Sequence, residues 1–138
     1  MPEKDYSRRP VVDKLGIKPG HAIAMDGGMP AIDETLQRQI LDATGRPPAA
    51  ADELLDVALV SVNAESDAWP VLTEWKKRLQ PAGGIWLLSP KRGFPGYIDQ
   101  RELIAAGQRA GLVDNKVCSV SASTSAMRFV IRRRDRTG

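Results

Sequence analysis

Polar and glycine residues follow three separate apolar runs, and these positions are the first candidates for a functional site. Each run is typical of a buried strand, so the residues after it lie at the carboxyl end of that strand. Ligands of open α/β sheets bind at those ends. Backbone N–H groups, a carboxylate, an amide and two cations there would suit an anion or a nucleotide, although the same residues fit a tight turn, a helix cap and a solvated loop. The candidate ligand-binding residues are Asp26, Gly27, Gly28, Asn63, Ser89, Lys91 and Arg92.

Histidine and cysteine each occur once, which is too few for the usual zinc sites, and no metal is predicted. His21 opens the first strand, at the end opposite the candidate site, and a structural role is expected because a general base needs a partner and a pocket. Cys118 is expected to be a buried, inert thiol. Lys116, two residues away, is the positive charge that a reactive thiolate would need. We predict no catalytic residue.

Length and composition indicate one globular domain. With 138 residues, 42% of them hydrophobic, the chain can bury a core. We predict a flexible lead over residues 1–12 and a single α/β domain over residues 13–138. No apolar run approaches the roughly 20 residues of a membrane span, and the charged start does not resemble a signal peptide. The single cysteine suits a reducing compartment, so we expect a cytoplasmic protein.

Three apolar runs, at residues 21–25, 55–62 and 85–88, predict buried parallel strands with helices between them. A turn is expected at residues 81–84, just before the third strand. Residues 45–51 fit either an irregular edge strand or a loop, and their two prolines argue against a central strand. An open edge there would favour a homodimer.

Capping residues and apolar spacing predict the helices. The first is expected to begin at residue 30 or 31, because proline fits the first helical position. Ser66 or Asp67 would cap the second, and an Asp99–Glu102 capping box followed by Gly111 would bound the third. The predicted buried stripe of the second helix is Leu72, Trp75 and Leu79.

Alternating apolar and polar residues end the chain. Residues 117–122 and 126–133 alternate around a turn at residues 123–125, a pattern that predicts an antiparallel hairpin. The expected fold is therefore a three-layer α/β/α Rossmann-like domain, with a mostly parallel sheet and a C-terminal antiparallel β-hairpin.

The order of elements resembles a small Rossmann-like methyltransferase, and residues 79–87 resemble the segment that leads into the fifth strand of that fold. Those enzymes hold S-adenosylmethionine with a G-x-G-x-G loop after the first strand and an acidic residue after the second. Here residues 26–30 are Asp-Gly-Gly-Met-Pro, and residues 45–51 contain no acid. We therefore predict no cofactor, and S-adenosylmethionine is the one that the resemblance would imply.

Six segments of the chain match a known family in order and spacing: residues 6–7, 14–20, 84–87, 89–91, 111–118 and 127–129. Together they resemble the DUF3052 family, a bacterial family of unknown function. The resemblance implies the fold and a bacterial, cytoplasmic setting, and it implies no reaction. It also makes Asp114, Asn115 and Lys116 a secondary candidate site, although these residues equally fit a turn.

The leading hypothesis is a non-catalytic Rossmann-like module that binds a small ligand or a protein partner. One alternative is a minimal transferase that depends on S-adenosylmethionine or a nucleotide. Another is nucleic-acid binding through the arginine-rich residues 132–136. Such a run is more often a solvated strand end, and a net charge of +3 does not require a nucleic acid, so we expect neither nucleic acid nor membrane as a partner.

Overall fold

The computed structural model describes residues 10–26 and 31–136. Within them, the helices are α1 (Val11–Lys14), α2 (Glu34–Thr44), α3 (Ala68–Lys76) and α4 (Gln100–Arg109). The strands are β1 (Ile23–Asp26), β2 (Leu55–Ser61), β3 (Leu79–Pro90), β4 (Leu112–Ser119) and β5 (Thr124–Ile131), and a 3-10 helix follows at Arg133–Asp135.

One sheet contains these strands in the order β1-β2-β3-β5-β4. The first three strands pair in parallel, and β5 pairs antiparallel with both β3 and β4. This arrangement confirms the predicted fold class, a mostly parallel sheet that ends in an antiparallel hairpin. It also places the carboxyl ends of β1, β2 and β3 at one edge of the sheet, which we call the carboxyl edge.

The two faces of the sheet have separate cores. Val57 and Leu59 pack with α1 and α2 on one face, whereas Ala58 and Val60 pack with α3 and α4 on the other. Both parallel connections step across the sheet in the same direction, yet α2 and α3 lie on opposite faces. The two β-α-β crossovers therefore have opposite handedness, so one of them is left-handed. Left-handed crossovers are rare, since nearly all connections between parallel strands are right-handed.

Aspartates cap the starts of α2, α3 and α4. Asp33 Oδ1 accepts a 2.8 Å hydrogen bond from the Leu36 N–H, so α2 begins at Glu34 and not at residue 30 or 31. Asp67 caps α3 as predicted. The helix ends at Lys76, so the prediction that Leu79 belongs to its buried stripe is wrong: Leu79 is the first residue of β3.

Strand β3 is longer than predicted, because residues 81–84 lie within it and do not form a separate turn. Leu55 pairs with Leu79 and Val57 pairs with Gly84, so β3 uses three more residues than β2 over this interval. The extra residues bulge out of the ladder. A Cβ at Gly83 would lie 2.6 Å from the Leu55 carbonyl oxygen, which explains why a glycine occupies this close approach.

The hairpin is also displaced from its predicted position. Strand β4 begins at Leu112, directly after the C-terminal glycine of α4, and its turn spans residues 120–123 rather than 123–125. The polar residues at 114–116 therefore lie in an edge strand, with a bulge between Asp114 and Lys116, and the interpretation of them as a turn is wrong.

The structure also decides two segments for which the sequence predicted no definite helix or strand. Val11 and Val12, assigned to a flexible lead, belong to α1 and pack against the core on that face. Residues 45–51, by contrast, form a loop and no strand, and the Ala49 N–H donates to the Ile23 carbonyl oxygen of β1. In the described part of the chain, every helix is too short or too polar to cross a membrane.

Candidate functional site

Two cavities open at the carboxyl edge of the sheet. The larger, about 740 Å³, lies beside the start of α4, and we call it the α4 cavity. The smaller, about 630 Å³, lies where β2 and β3 end, and we call it the β2 cavity. Ser89 and Pro90 line both, so one stretch of β3 separates the two spaces.

The structure brings together some of the predicted site residues. Ser89, Lys91 and Arg92 line the α4 cavity, and Asn63 lines the β2 cavity together with Ser89. Asp26 is exposed at the end of β1 and lines neither cavity. Gly27 and Gly28 lie outside the described residues.

Two buried residues with hydroxyl groups line the cavities. Ser89 and Thr124 are 6% and 4% exposed. Ser89 lines both cavities, and Thr124 lines the β2 cavity. Neither hydroxyl hydrogen-bonds to another of the described residues, and neither oxygen is fully sealed from solvent. Buried hydroxyls normally have partners, so these two are available to a ligand or to water.

Cations stand at the mouth of the α4 cavity. Lys91 Nζ donates a 2.6 Å hydrogen bond to Ser119 Oγ, which holds the loop after β3 against the end of β4. The guanidinium carbon of Arg92 lies 5.7 Å from the centroid of the Tyr97 ring, a cation–π distance. The contacts that position the two cations are thus uncharged, although the charge of the Asp99 carboxylate, after the Tyr97 side chain, also raises the pKa of Arg92.

The first turn of α4 forms the opposite wall. Asp99 caps the helix by accepting the Arg101 N–H at 2.8 Å, and the Arg101 side chain also donates to the Asp99 carboxylate. These hydrogen bonds hold the pKa of the Asp99 carboxyl below its ordinary value. Asp99 is confirmed as the helix cap, but the predicted capping box with Glu102 is wrong, because Asp99 bonds at the second helical position and no described hydrogen bond joins the Glu102 side chain to the Asp99 N–H.

Asn63 has a local role. Its amide oxygen accepts the Glu65 N–H at 2.9 Å, and the Ser66 hydroxyl lies 3.4 Å from the same oxygen. This is an Asx turn. The side-chain oxygen is therefore engaged in hydrogen bonds within the loop after β2. Asn63 is thus a turn residue that also lines the β2 cavity.

The secondary candidates do not form a cluster around either cavity at the carboxyl edge. Lys116 lines a separate cavity of about 300 Å³ with Cys118, while Asp114 and Asn115 line neither large cavity. Burial raises the pKa of the Cys118 thiol, and the charge of Lys14 opposes this only in part. His21 accepts the Lys18 N–H through Nδ1, a local contact. No group of three metal-ligating side chains occurs in the parts of the chain described here.

Sequence reasoning missed four residues of the site. Tyr97, Arg101 and Ser119 line the α4 cavity, and Thr124 lines the β2 cavity. The predicted cap at Asp99 could have signalled the first two, because a helix that follows a strand begins at the carboxyl edge. Ser119 and Thr124 were hidden by the misplaced hairpin turn.

The family model for "protein of unknown function (DUF3052)" matches residues 12–133, nearly the whole chain. The chain belongs to the DUF3052 family. Among proteins with curated annotation, none matches this sequence.

Several of the solved structures that are similar to this DUF3052 domain are methyltransferases. Mitomycin 7-O-methyltransferase matches with a TM-score of 0.60 and 14% identity, over 81% of this chain and 49% of its own. A TehB-like SAM-dependent methyltransferase from Corynebacterium glutamicum matches with a TM-score of 0.54 and 12% identity, over 88% and 86%. A SAM-dependent methyltransferase from Aquifex aeolicus matches with 0.53 and 12%, over 88% of each chain. At such identities the likeness shows the fold alone, and this chain spans about half of the mitomycin enzyme.

S-adenosylmethionine fits the described residues of the DUF3052 domain poorly. The described loop between α2 and β2 lies at the amino edge of the sheet, which is the edge opposite the carboxyl edge. There the Ala49 N–H donates to the Ile23 carbonyl oxygen at the start of β1. The Glu53 carboxylate of this loop is committed to Arg46 at 2.6 Å and to the Ala50 N–H. No acidic side chain of this segment therefore reaches the carboxyl edge to bind ribose hydroxyls.

The arginine-rich end of the DUF3052 domain lies far from the two cavities. Strand β5 runs away from the carboxyl edge, so residues 132–136 lie at the amino edge. Arg132 pairs with Asp135 at 3.1 Å, and Arg136 donates to the Ile131 carbonyl oxygen. These contacts fold the segment back on itself.

Proposed function

We propose that the DUF3052 domain is a binding module that takes a small molecule in the α4 cavity. The observation that carries the proposal is Ser89: the residue is nine-tenths buried, its hydroxyl lacks a partner among the described residues, and it lines this cavity. Water can reach the hydroxyl oxygen. A ligand that offers a hydrogen-bond partner can take the place of that water.

The size and lining of the α4 cavity support a small-molecule ligand. A volume of about 740 Å³ lies within the usual range for such sites, roughly 300–1,000 Å³. The lining combines a smaller set of apolar side chains, among them Ile98, Leu103 and Met127, with a larger set of polar and charged ones. Such a lining suits a ligand that has both an apolar part and a polar or charged group.

A titration of ¹⁵N-labelled protein with a fragment library of neutral, cationic and anionic compounds tests the proposal. We expect the amide shifts to cluster at residues 89–92, 97–103 and 117–119. Ser89→Ala should weaken the binding of these fragments several-fold, whereas Ser123→Ala, in the hairpin turn, should not. Shifts that scatter over the surface, or no shifts at all, would show that the proposal is wrong.

A second candidate is a minimal transferase that uses S-adenosylmethionine. The structural likeness to SAM-dependent methyltransferases favours it, and the missing ribose-binding acid opposes it. Calorimetry with S-adenosylmethionine and S-adenosylhomocysteine separates the two candidates. Micromolar binding of either compound would support the transferase and justify a screen for methyl acceptors. Absence of heat at high ligand concentration would eliminate it.

A further inference from the structure

We propose that the ligand of the α4 cavity carries an oxyanion, a carboxylate or a phosphate, seated between Lys91, Arg92 and Arg101. The inference rests on the small-molecule site proposed above and adds the chemical class of its ligand. It draws on the charge of the lining, on the buried hydroxyl and on the direction of α4.

The charge of the cavity is one-sided. Its lining contains three cations and a single carboxylate, that of Asp99. Asp99 occupies only part of the Arg101 guanidinium, through bonds of 3.3 and 3.4 Å to Nε and Nη2. A guanidinium has five N–H donors. The excess of positive charge would be neutralised by an oxyanion.

Lys91 is held at the cavity mouth. Its Nζ contacts the neutral hydroxyl oxygen of Ser119 and makes no ion pair with any described carboxylate. An ammonium group has three donors, so two remain for a ligand. A fixed cation with free donors binds an anion with little loss of side-chain entropy.

The α4 helix adds a partial positive charge at the same place. It has ten residues, and its N-terminus opens beside the cavity. A helix start is not by itself a site. The independent observation is Ser89: the residue is nine-tenths buried, its hydroxyl has no partner among the described residues, and it lines the cavity beside Ser125 of β5. That hydroxyl can donate to an anionic oxygen.

The apolar part of the cavity indicates the chemical character of the rest of the ligand. Leu103 and Met127 lie on the floor, and both belong to the core on the α4 face of the sheet. A ligand with an anionic group at the mouth would thus place an apolar body against these side chains. An aromatic or branched aliphatic acid, or an ester of phosphate, has this distribution.

Matched pairs of fragments test the inference, with the same amide shifts as the readout. The pairs are 1-naphthoate with 1-naphthamide, and phenyl phosphate with phenol. We expect each anion to bind about tenfold or more tightly than its neutral counterpart, because charge-assisted hydrogen bonds are the strong ones. The preference should shrink as NaCl rises from about 50 to about 300 mM, because salt screens exposed charges.

Single substitutions show which cations produce the preference for the anion. Arg101→Gln and Lys91→Gln should each reduce the preference for the anion several-fold. Arg109→Gln, at the far end of the same helix where the arginine stacks on Trp69, should leave it unchanged. Equal binding of acid and amide in the cavity would overturn the inference while the small-molecule site stands. No binding by any fragment, of either charge, would overturn both.

Discussion

The Trp86 indole Nε1–H donates a 3.0 Å hydrogen bond to the Leu15 carbonyl oxygen, and both residues are about 1% exposed. The bond joins the centre of the sheet to the chain just after α1. Trp86→Phe should lower the free energy of unfolding by about 2–4 kcal/mol, since it leaves a buried carbonyl unpaired and removes packing atoms. Urea denaturation measures this loss. A loss below about 1 kcal/mol would mean that water replaces the indole.

Alanine at Gly83 should destabilise the fold more than alanine at the neighbouring Gly84. A Cβ at Gly83 would meet the backbone oxygen of Leu55 at 2.6 Å, whereas the nearest atoms to a Cβ at Gly84 belong to the guanidinium group of Arg128. Gly83→Ala should cost about 1–3 kcal/mol. Gly84→Ala should cost less than about 1 kcal/mol, because a flexible side chain can move away. Thermal unfolding of the pair provides an internal control, and equal losses would contradict the bulge geometry.

Cys118 should be a slow thiol. Burial raises its pKa above the ordinary value, so little thiolate is present near neutral pH. Its reaction with an aromatic disulfide reagent at pH 8 should be slower in the folded protein than in urea. Lys14→Gln should slow it further, since the charge of Lys14 lowers the pKa. Equal rates in folded and unfolded protein would show that the thiol is not desolvated.

The Asp99–Arg101 contact should be visible in a pH titration. Hydrogen bonds from the Arg101 side chain and backbone lower the pKa of Asp99 from its ordinary 3.8. A carboxyl whose pKa is lower in the folded state stabilises the fold above its unfolded pKa, and this contribution is lost as the pH falls through the folded pKa.

Arg101→Gln should therefore raise the pKa of Asp99 toward 3.8, without reaching it, because the Arg101 backbone N–H still donates. Carboxyl carbon shifts in NMR measure this directly. Arg109→Gln is the control of equal charge and should leave the Asp99 pKa in place. An unchanged pKa in Arg101→Gln would mean that the backbone bond alone produces the shift.

Local signals predicted much of the fold. The run at residues 55–62 and the caps at Asp67 and Asp99 are confirmed, because burial on both faces and helix capping depend on residues close in sequence. Boundaries that depend on distant pairing were missed. Gly83 resembles a turn residue, but its pairing with β2 makes it part of a bulge.

The candidate site was predicted in part for the same reason. Ser89, Lys91 and Arg92 follow one strand, and a single strand end is visible in the sequence. Their partners come from elsewhere: Ser119 from the edge strand and Arg101 from α4. Whether these residues bind a ligand stays a prediction, which the titrations described above test.

By itself, the sequence determined where most strands and helices lie, because hydrophobic periodicity and capping act over a few residues. It did not determine α1 or the first residues of β3 and β4. The tertiary structure decided the rest. It placed β5 between β3 and β4, set α2 and α3 on opposite faces, and left the buried residue Ser89, with an unpartnered hydroxyl, in one cavity with three cations. Such relationships join residues far apart along the chain, and only packing of the whole sheet brings them together.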